Sequence, residues 1–136
     1  MAPLIYPLFE AHNLKPQNVY PLLLQQLFFD NRSYFDYVER LGELGVTAPV
    51  IPGILPVRSL ASLRFILKLC NARVPGSLIN ELLDAEEREG PKAAFEVGIA
   101  HARSQVRELF ERGAPGVHLY TLNRTDMCTR LLDGLL

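Results

Sequence analysis

Val50-Ile51-Pro52-Gly53-Ile54-Leu55-Pro56 is the stretch on which the fold of this chain turns. It is a short apolar run stopped by turn-forming residues, as expected of a strand buried on both faces of a parallel sheet. A second string, His118-Leu119-Tyr120-Thr121-Leu122-Asn123-Arg124, repeats the design and ends in polar residues. The residues between the two read as helix, so the unit is strand, helices, strand. Parallel sheets collect their chemistry where strands end, because the loops there are exposed while the strands are held rigid. These strings therefore predict an edge at which a ligand sits.

Working outward, Val19 to Phe29 is nearly all apolar apart from Gln25 and Gln26, and Asp30-Asn31 bounds it. The pattern predicts a strand over 22–28, with Pro21 confining pairing to the residues after it. A helix follows over 32–44, with Tyr34, Tyr37, Val38, Leu41 and Leu44 at helical spacing, Asp30 or Asn31 as cap and Gly45 as stop. The second strand is expected from Val46 to Ile54, interrupted by Pro49 and closed by a Pro-Gly turn at 52–53. Ser59 caps a helix bearing Leu60, Leu63, Ile66, Leu67 and Cys70, which Val74-Pro75-Gly76 breaks. A shorter helix spans about 77–87. A longer one spans about 92–112, with Val97, Ile99, Ala102, Val106, Leu109 and Phe110 facing inward. The third strand is expected over Gly116 to Leu122, and Thr125 opens a terminal helix ending near Leu135. Pro3, Pro7 and Pro16 make residues 1–17 irregular.

The order of elements implies an α/β protein with parallel βα units. A chain of 136 residues, 49% hydrophobic and 21% charged, suffices for one domain with a real core. A net charge of −1 without a basic block gives no electrostatic support to nucleic-acid binding. No run reaches the ~18 apolar residues of a membrane span, and the start lacks the basic region of a signal peptide. A soluble cytoplasmic protein is the expectation. Cys70 and Cys128 both fall in helical patterns and fit a reducing compartment. No Cys/His spacing suggests a metal. Glu86, Glu87, Arg88 and Glu89 read as a solvated helix end. Phe28 and Phe29 read as core, and His118 as a satisfied core histidine far from the end of its strand. Pro52-Gly53 is expected to shape the strand end and let a ligand approach the backbone.

Three strings, Gln26-Leu27-Phe28-Phe29-Asp30, Val50 to Pro56 and His118 to Arg124, together resemble the methylenetetrahydrofolate reductase family in order and spacing. Leu63-Arg64, Lys68-Leu69 and Val74-Pro75 add to the match, which covers about residues 25–135. The resemblance implies the last three βα units of a (β/α)8 TIM barrel over 25–136, preceded by a segment, 1–24, that matches nothing in the family. It implies an FAD-dependent oxidoreductase of one-carbon metabolism and methionine biosynthesis. Such an enzyme reduces 5,10-methylenetetrahydrofolate to 5-methyltetrahydrofolate with NADH or NADPH.

The family's catalytic glutamate lies on the first barrel strand, outside the match, so the resemblance assigns no catalytic and no FAD-binding residue here. For folate it implies Gln26, Ser62, Ile66, Tyr120, Leu122 and Arg124. Gln26 offers the mixed donor and acceptor that a pterin edge needs. Arg124 suits a carboxylate such as the folate glutamate tail, with a surface ion pair as the alternative. Tyr120 and Leu122, two apart on a strand, would face the same side. An open three-stranded slice is expected to need a partner chain or a second copy over its inner face. A reading of another class stands beside this one: a non-catalytic fragment or interaction module that keeps the barrel signature.

Overall fold

A computed structural model describes residues 23–135. The irregular segment expected over 1–17, and most of the 1–24 expected to lie outside the family match, fall outside them. The elements run β1 (Leu23–Leu27), α1 (Asn31–Glu43), β2 (Val50–Ile54), α2 (Leu60–Leu69), α3 (Gly76–Glu89), α4 (Pro91–Glu111), β3 (His118–Leu119) and α5 (Thr125–Leu132). The three strands form one parallel sheet in the order β1-β2-β3. Three parallel strands with helical crossovers agree with part of a βα barrel.

The central strand departs from expectation. Pairing starts at Val50 and runs straight through Pro52-Gly53, so no Pro-Gly turn closes it. The hydrogen bonds explain how a central strand tolerates proline. Pro49 and Gly53 carbonyls accept from Leu23 and Phe28 of the β1 side, at 3.0 and 3.3 Å, whereas the Ile54 carbonyl accepts from Tyr120 on the β3 side at 2.9 Å. Odd positions thus bond to β1 and even positions to β3. Pro52 therefore faces β3, and pairing to β3 begins only beyond it, at Gly53↔His118. A proline there removes no bond that the sheet makes.

β3 is shorter than the expected 116–122. Beyond Leu119 the chain leaves the sheet, and Leu122 and Asn123 take positive φ angles of 45° and 63°. Two consecutive residues in the left-handed region cannot extend a strand. β1 holds an irregularity of its own. Leu24 pairs with Ile51 but Leu27 with Gly53, so an extra residue is accommodated at Gln25-Gln26.

The helices match their expected positions more closely, because their caps are written locally. Asp30 accepts from the Arg32 amide at 3.0 Å and starts α1. Ser59 and Ser62 form a reciprocal capping box at the start of α2. α4 is the hub of the fold. Its Ala102, Val106 and Leu109 pack under the sheet with Phe28, Ile54 and Leu119, while its Ala94 joins Leu55, Leu63, Leu78 and Leu82 beneath the strand ends. Phe110, expected to face inward, is on the exposed side of the helix.

A polar set on α4, centred on the buried Gln105, also grips the end of β1. The His101 Nε2–H donates to the Phe29 carbonyl at 2.9 Å, the role that a carbonyl acceptor requires. Gln105 Nε2 reaches the Phe28 carbonyl at 3.3 Å and Asn31 Oδ1 at 3.2 Å, while Asn31 Nδ2 donates to the Glu108 carboxylate at 2.7 Å. At Gly98 the helix lies directly on the Val57 carbonyl, leaving no room for a Cβ.

α1 buries only part of its apolar set. Tyr34 is buried and donates its hydroxyl proton to the Val50 carbonyl at 2.9 Å. Tyr37, Val38 and Leu44 stay exposed, Leu44 at 78%. Their spacing matches a stripe, but α1 meets α4 along its first turns only.

Candidate functional site

One cavity of about 450 Å³ opens where the strands end. That volume lies in the range of roughly 300–1,000 Å³ typical of small-molecule sites. Its floor is Phe29, which follows β1, and the loop Leu55–Ser59, which follows β2. One side is the first two turns of α2, through Ser62, Phe65 and Ile66. The other is the loop after β3, through Tyr120, Leu122 and Arg124.

Each wall is fixed by a local reason. Tyr120 lies over Gly53, where a Cβ would come within 2.8 Å of its ring and 2.7 Å of the Gln25 carbonyl. The bare backbone expected to receive a ligand is therefore occupied by the tyrosine. Leu122 lines the same cavity as Tyr120, but through its left-handed φ rather than strand alternation. The Arg124 amide donates to the Thr121 carbonyl at 2.7 Å and closes this turn. Strained backbone held by its surroundings is typical of ligand-contacting turns. Leu122 is left 56% exposed at the mouth, facing a cavity that Phe65, 59% exposed, also lines.

Among the described residues no carboxylate lines the cavity, and two cations do, Arg58 and Arg124. Arg124 Nε makes an ion pair with Asp126 at 3.5 Å, and both groups are well exposed. Such a pair contributes little, so the guanidinium is free to exchange it for a ligand anion. Arg124 thus makes a surface ion pair and lines the cavity at once.

Ser62 lines the cavity with its hydroxyl already committed. It donates to the Ser59 carbonyl at 2.8 Å and accepts from the Ser59 amide at 3.0 Å. It can offer a ligand a lone pair but no proton. Ile66 is buried and supplies an aliphatic wall. Thus Ser62, Ile66, Tyr120, Leu122 and Arg124 come together, and Gln26 does not join them. It sits at the β1 irregularity, exposed to solvent. Its neighbour Gln25 instead carries a buried side-chain oxygen without a hydrogen-bond partner.

His118 contradicts the expectation of a satisfied histidine distant from its strand end. β3 ends one residue later, and His118 Nδ1 is buried without a partner. Its ring stacks on Tyr120, with centroids 4.6 Å apart and planes 22° from parallel. Burial holds the imidazole pKa below its ordinary 6.5. Sequence reasoning also missed Arg58 and Phe65 as lining residues. Arg58 directly precedes the Ser59 cap, which places it at the mouth. Phe65 lies beside Ile66 on a helix whose opposite side forms the core, so its exposure was legible as a surplus apolar residue.

Among the described residues no group of His, Cys, Asp and Glu could hold a metal ion, and no helix is long and apolar enough to cross a membrane. Cys70 and Cys128 are free thiols.

Comparison with known proteins agrees with the geometry. The family model described as methylenetetrahydrofolate reductase matches residues 21–135. A 5,10-methylenetetrahydrofolate reductase of Salmonella typhimurium is 36% identical over 106 residues, covering 76% of this chain and 34% of that protein. A probable methylenetetrahydrofolate reductase (NADPH) of Caenorhabditis elegans is 31% identical over 114 residues, covering 83% of this chain and 17% of its own length. A probable methylenetetrahydrofolate reductase (NADH) of rice, Oryza sativa subsp. japonica, is 26% identical over 114 residues, with 84% and 19% covered. The chain thus spans about a fifth to a third of the length of these relatives. With its three parallel strands, its strand-end cavity and a family match over nearly all described residues, the chain belongs to the methylenetetrahydrofolate reductase family.

Proposed function

We propose that this chain forms the folate-side wall of a methylenetetrahydrofolate reductase, in which 5,10-methylenetetrahydrofolate is reduced to 5-methyltetrahydrofolate with NAD(P)H and FAD. The observation that carries the reading is a strand-end cavity with apolar walls, lined among the described residues by two arginines and no carboxylate. A folate presents flat rings and an anionic glutamate, so apolar walls would take the rings and a guanidinium the carboxylate. Tyr120, Leu122 and Ile66 would hold the rings, Arg124 the glutamate, and Ser62 would accept one hydrogen bond. The exposed Gln26 would join this set where the inner face of the sheet is covered, by a partner chain or a second copy.

The described residues do not by themselves fit FAD. The cavity offers one flat wall and two cations at its mouth, enough for one ring system with an anionic end. A dinucleotide has two ring systems and a pyrophosphate between them. No redox step is therefore assigned to this chain's residues, which bind, orient and exclude water.

The test is calorimetric titration of the chain with 5-methyltetrahydrofolate. Saturable binding is expected, weakened about tenfold by Arg124→Ala through loss of one charge-assisted hydrogen bond. Absence of binding, or binding indifferent to Arg124, would sink the reading. Added FAD should wash off, leaving no absorbance near ~450 nm, where a protein-held flavin absorbs.

A further inference from the structure

We infer that His118 is a positioning residue: its flat ring backs Tyr120 and fixes that tyrosine as the planar wall of the strand-end cavity. Four observations converge on this. The two rings are stacked at 4.6 Å and 22°. Tyr120 is held on another side by Gly53, whose missing Cβ is what allows the ring to lie so close to β2. His118 pairs with that same Gly53 in the sheet register, so both supports of Tyr120 stand on one rung of the ladder. His118 Nδ1 is buried and bonded to nothing, so that nitrogen performs no anchoring in the described structure.

A buried ring nitrogen without a partner is costly. The imidazole is therefore used here as a plate, and its shape matters more than its polarity. Stacked aromatic pairs resist sliding and tilting, because offset parallel geometry is a preferred arrangement of two π faces. A non-planar residue in this place would leave one face of the Tyr120 ring without its flat support. Only Gly53 and the core beneath the strand ends would stand against it, and the ring would be freer to tilt into the cavity. The residue thus acts through Tyr120 and touches no ligand itself.

The role in ligand selection rests on the folate reading above, whereas the role in holding Tyr120 does not. Two arms keep them apart. In the first, fluorotyrosine is incorporated, and the fluorine resonance of Tyr120, one of five tyrosines, is assigned through Tyr120→Phe. A single narrow line is expected in the native chain and in His118→Phe, and a broadened, shifted line in His118→Leu. An unchanged line in His118→Leu would overturn the positioning role, whatever the ligand. In the second arm, affinity for 5-methyltetrahydrofolate is measured on the same three proteins. His118→Phe should bind as the native chain does, whereas His118→Leu should bind about tenfold more weakly at unchanged Arg124 dependence. Loss of binding in His118→Phe would show that the imidazole nitrogens matter and overturn the inference. If the native chain shows the expected fluorine signature yet binds no folate, the functional reading fails and the positioning role stands.

Discussion

Protonation of His118 and packing at Gly98 set two quantitative expectations at the level of single residues. Burial lowers the His118 pKa from 6.5, so the unfolded chain binds the proton more readily than the folded one. Stability therefore rises with pH through the window below 6.5 and falls on acidification. The melting temperature should drop between about pH 7 and 5, and His118→Phe should flatten that slope. Asp30 acts further into acid. Hydrogen bonding to the Arg32 guanidinium holds its carboxyl below the usual 3.8. Its contribution is complete above 3.8 and is lost as pH falls through the depressed value. Gly98→Ala is a sharper perturbation, since the new methyl would strike the Val57 carbonyl and push α4 off the loop after β2. A loss of about 3 kcal/mol or more is expected in urea unfolding, at the upper end of overpacking effects. A loss below about 0.5 kcal/mol would mean that the helix and loop separate freely.

At the scale of elements, α2 lines the site with its first two turns, and α4 supports it from behind by holding the end of β1 through His101 and Gln105. Ser59→Ala should cost about 1 kcal/mol as a lost cap, because it removes the acceptor of the Ser62 amide while the Ser62 hydroxyl keeps its bonds to the residue-59 backbone. Gln105→Leu leaves Asn31 and the Phe28 carbonyl short of a donor in a buried place. About 2 kcal/mol is expected, together with faster hydrogen exchange at the end of β1. Helix boundaries were legible because Asp30, Ser59 and Thr125 mark them within a few residues. Strand lengths were not. Whether Pro52 ends a strand or passes through one depends on which side its missing N–H faces, and that is a property of the register. Which apolar residues of α1 are buried was not legible either. Tyr37, Val38 and Leu44 show helical spacing, but nothing in spacing says whether a partner lies across from it. Ser62 lines the cavity, and its use as a cap partner appears only once the Ser59 backbone is seen.

For the whole molecule, the deciding property is that β1 and β3 are both edges of a parallel sheet among the described residues. Open edges and apolar side chains such as Leu24, 51% exposed, favour association with another chain. Light scattering should show mass increasing with concentration, and a strict monomer at high concentration would contradict it. Net charge near zero removes the repulsion that would otherwise oppose such contacts. The family identity was legible from three strings of sequence, since each string is a strand end and strand ends hold the motifs. The cavity's depth and its second cation were not, because they arise from α2 turning its first residues toward a loop far along the chain.

That last dependence has a kinetic consequence. β2 and β3 are joined through α2, α3 and α4, so their two-residue pairing closes the longest crossover in the described fold. Contacts of such long sequence separation form late, after the loop entropy has been met by helix packing. The cavity should thus be the final part of the molecule to appear on folding and the first to vanish on unfolding. Ligand affinity would then disappear at lower denaturant than helical signal does, a separation that binding and circular dichroism measured on one sample would reveal.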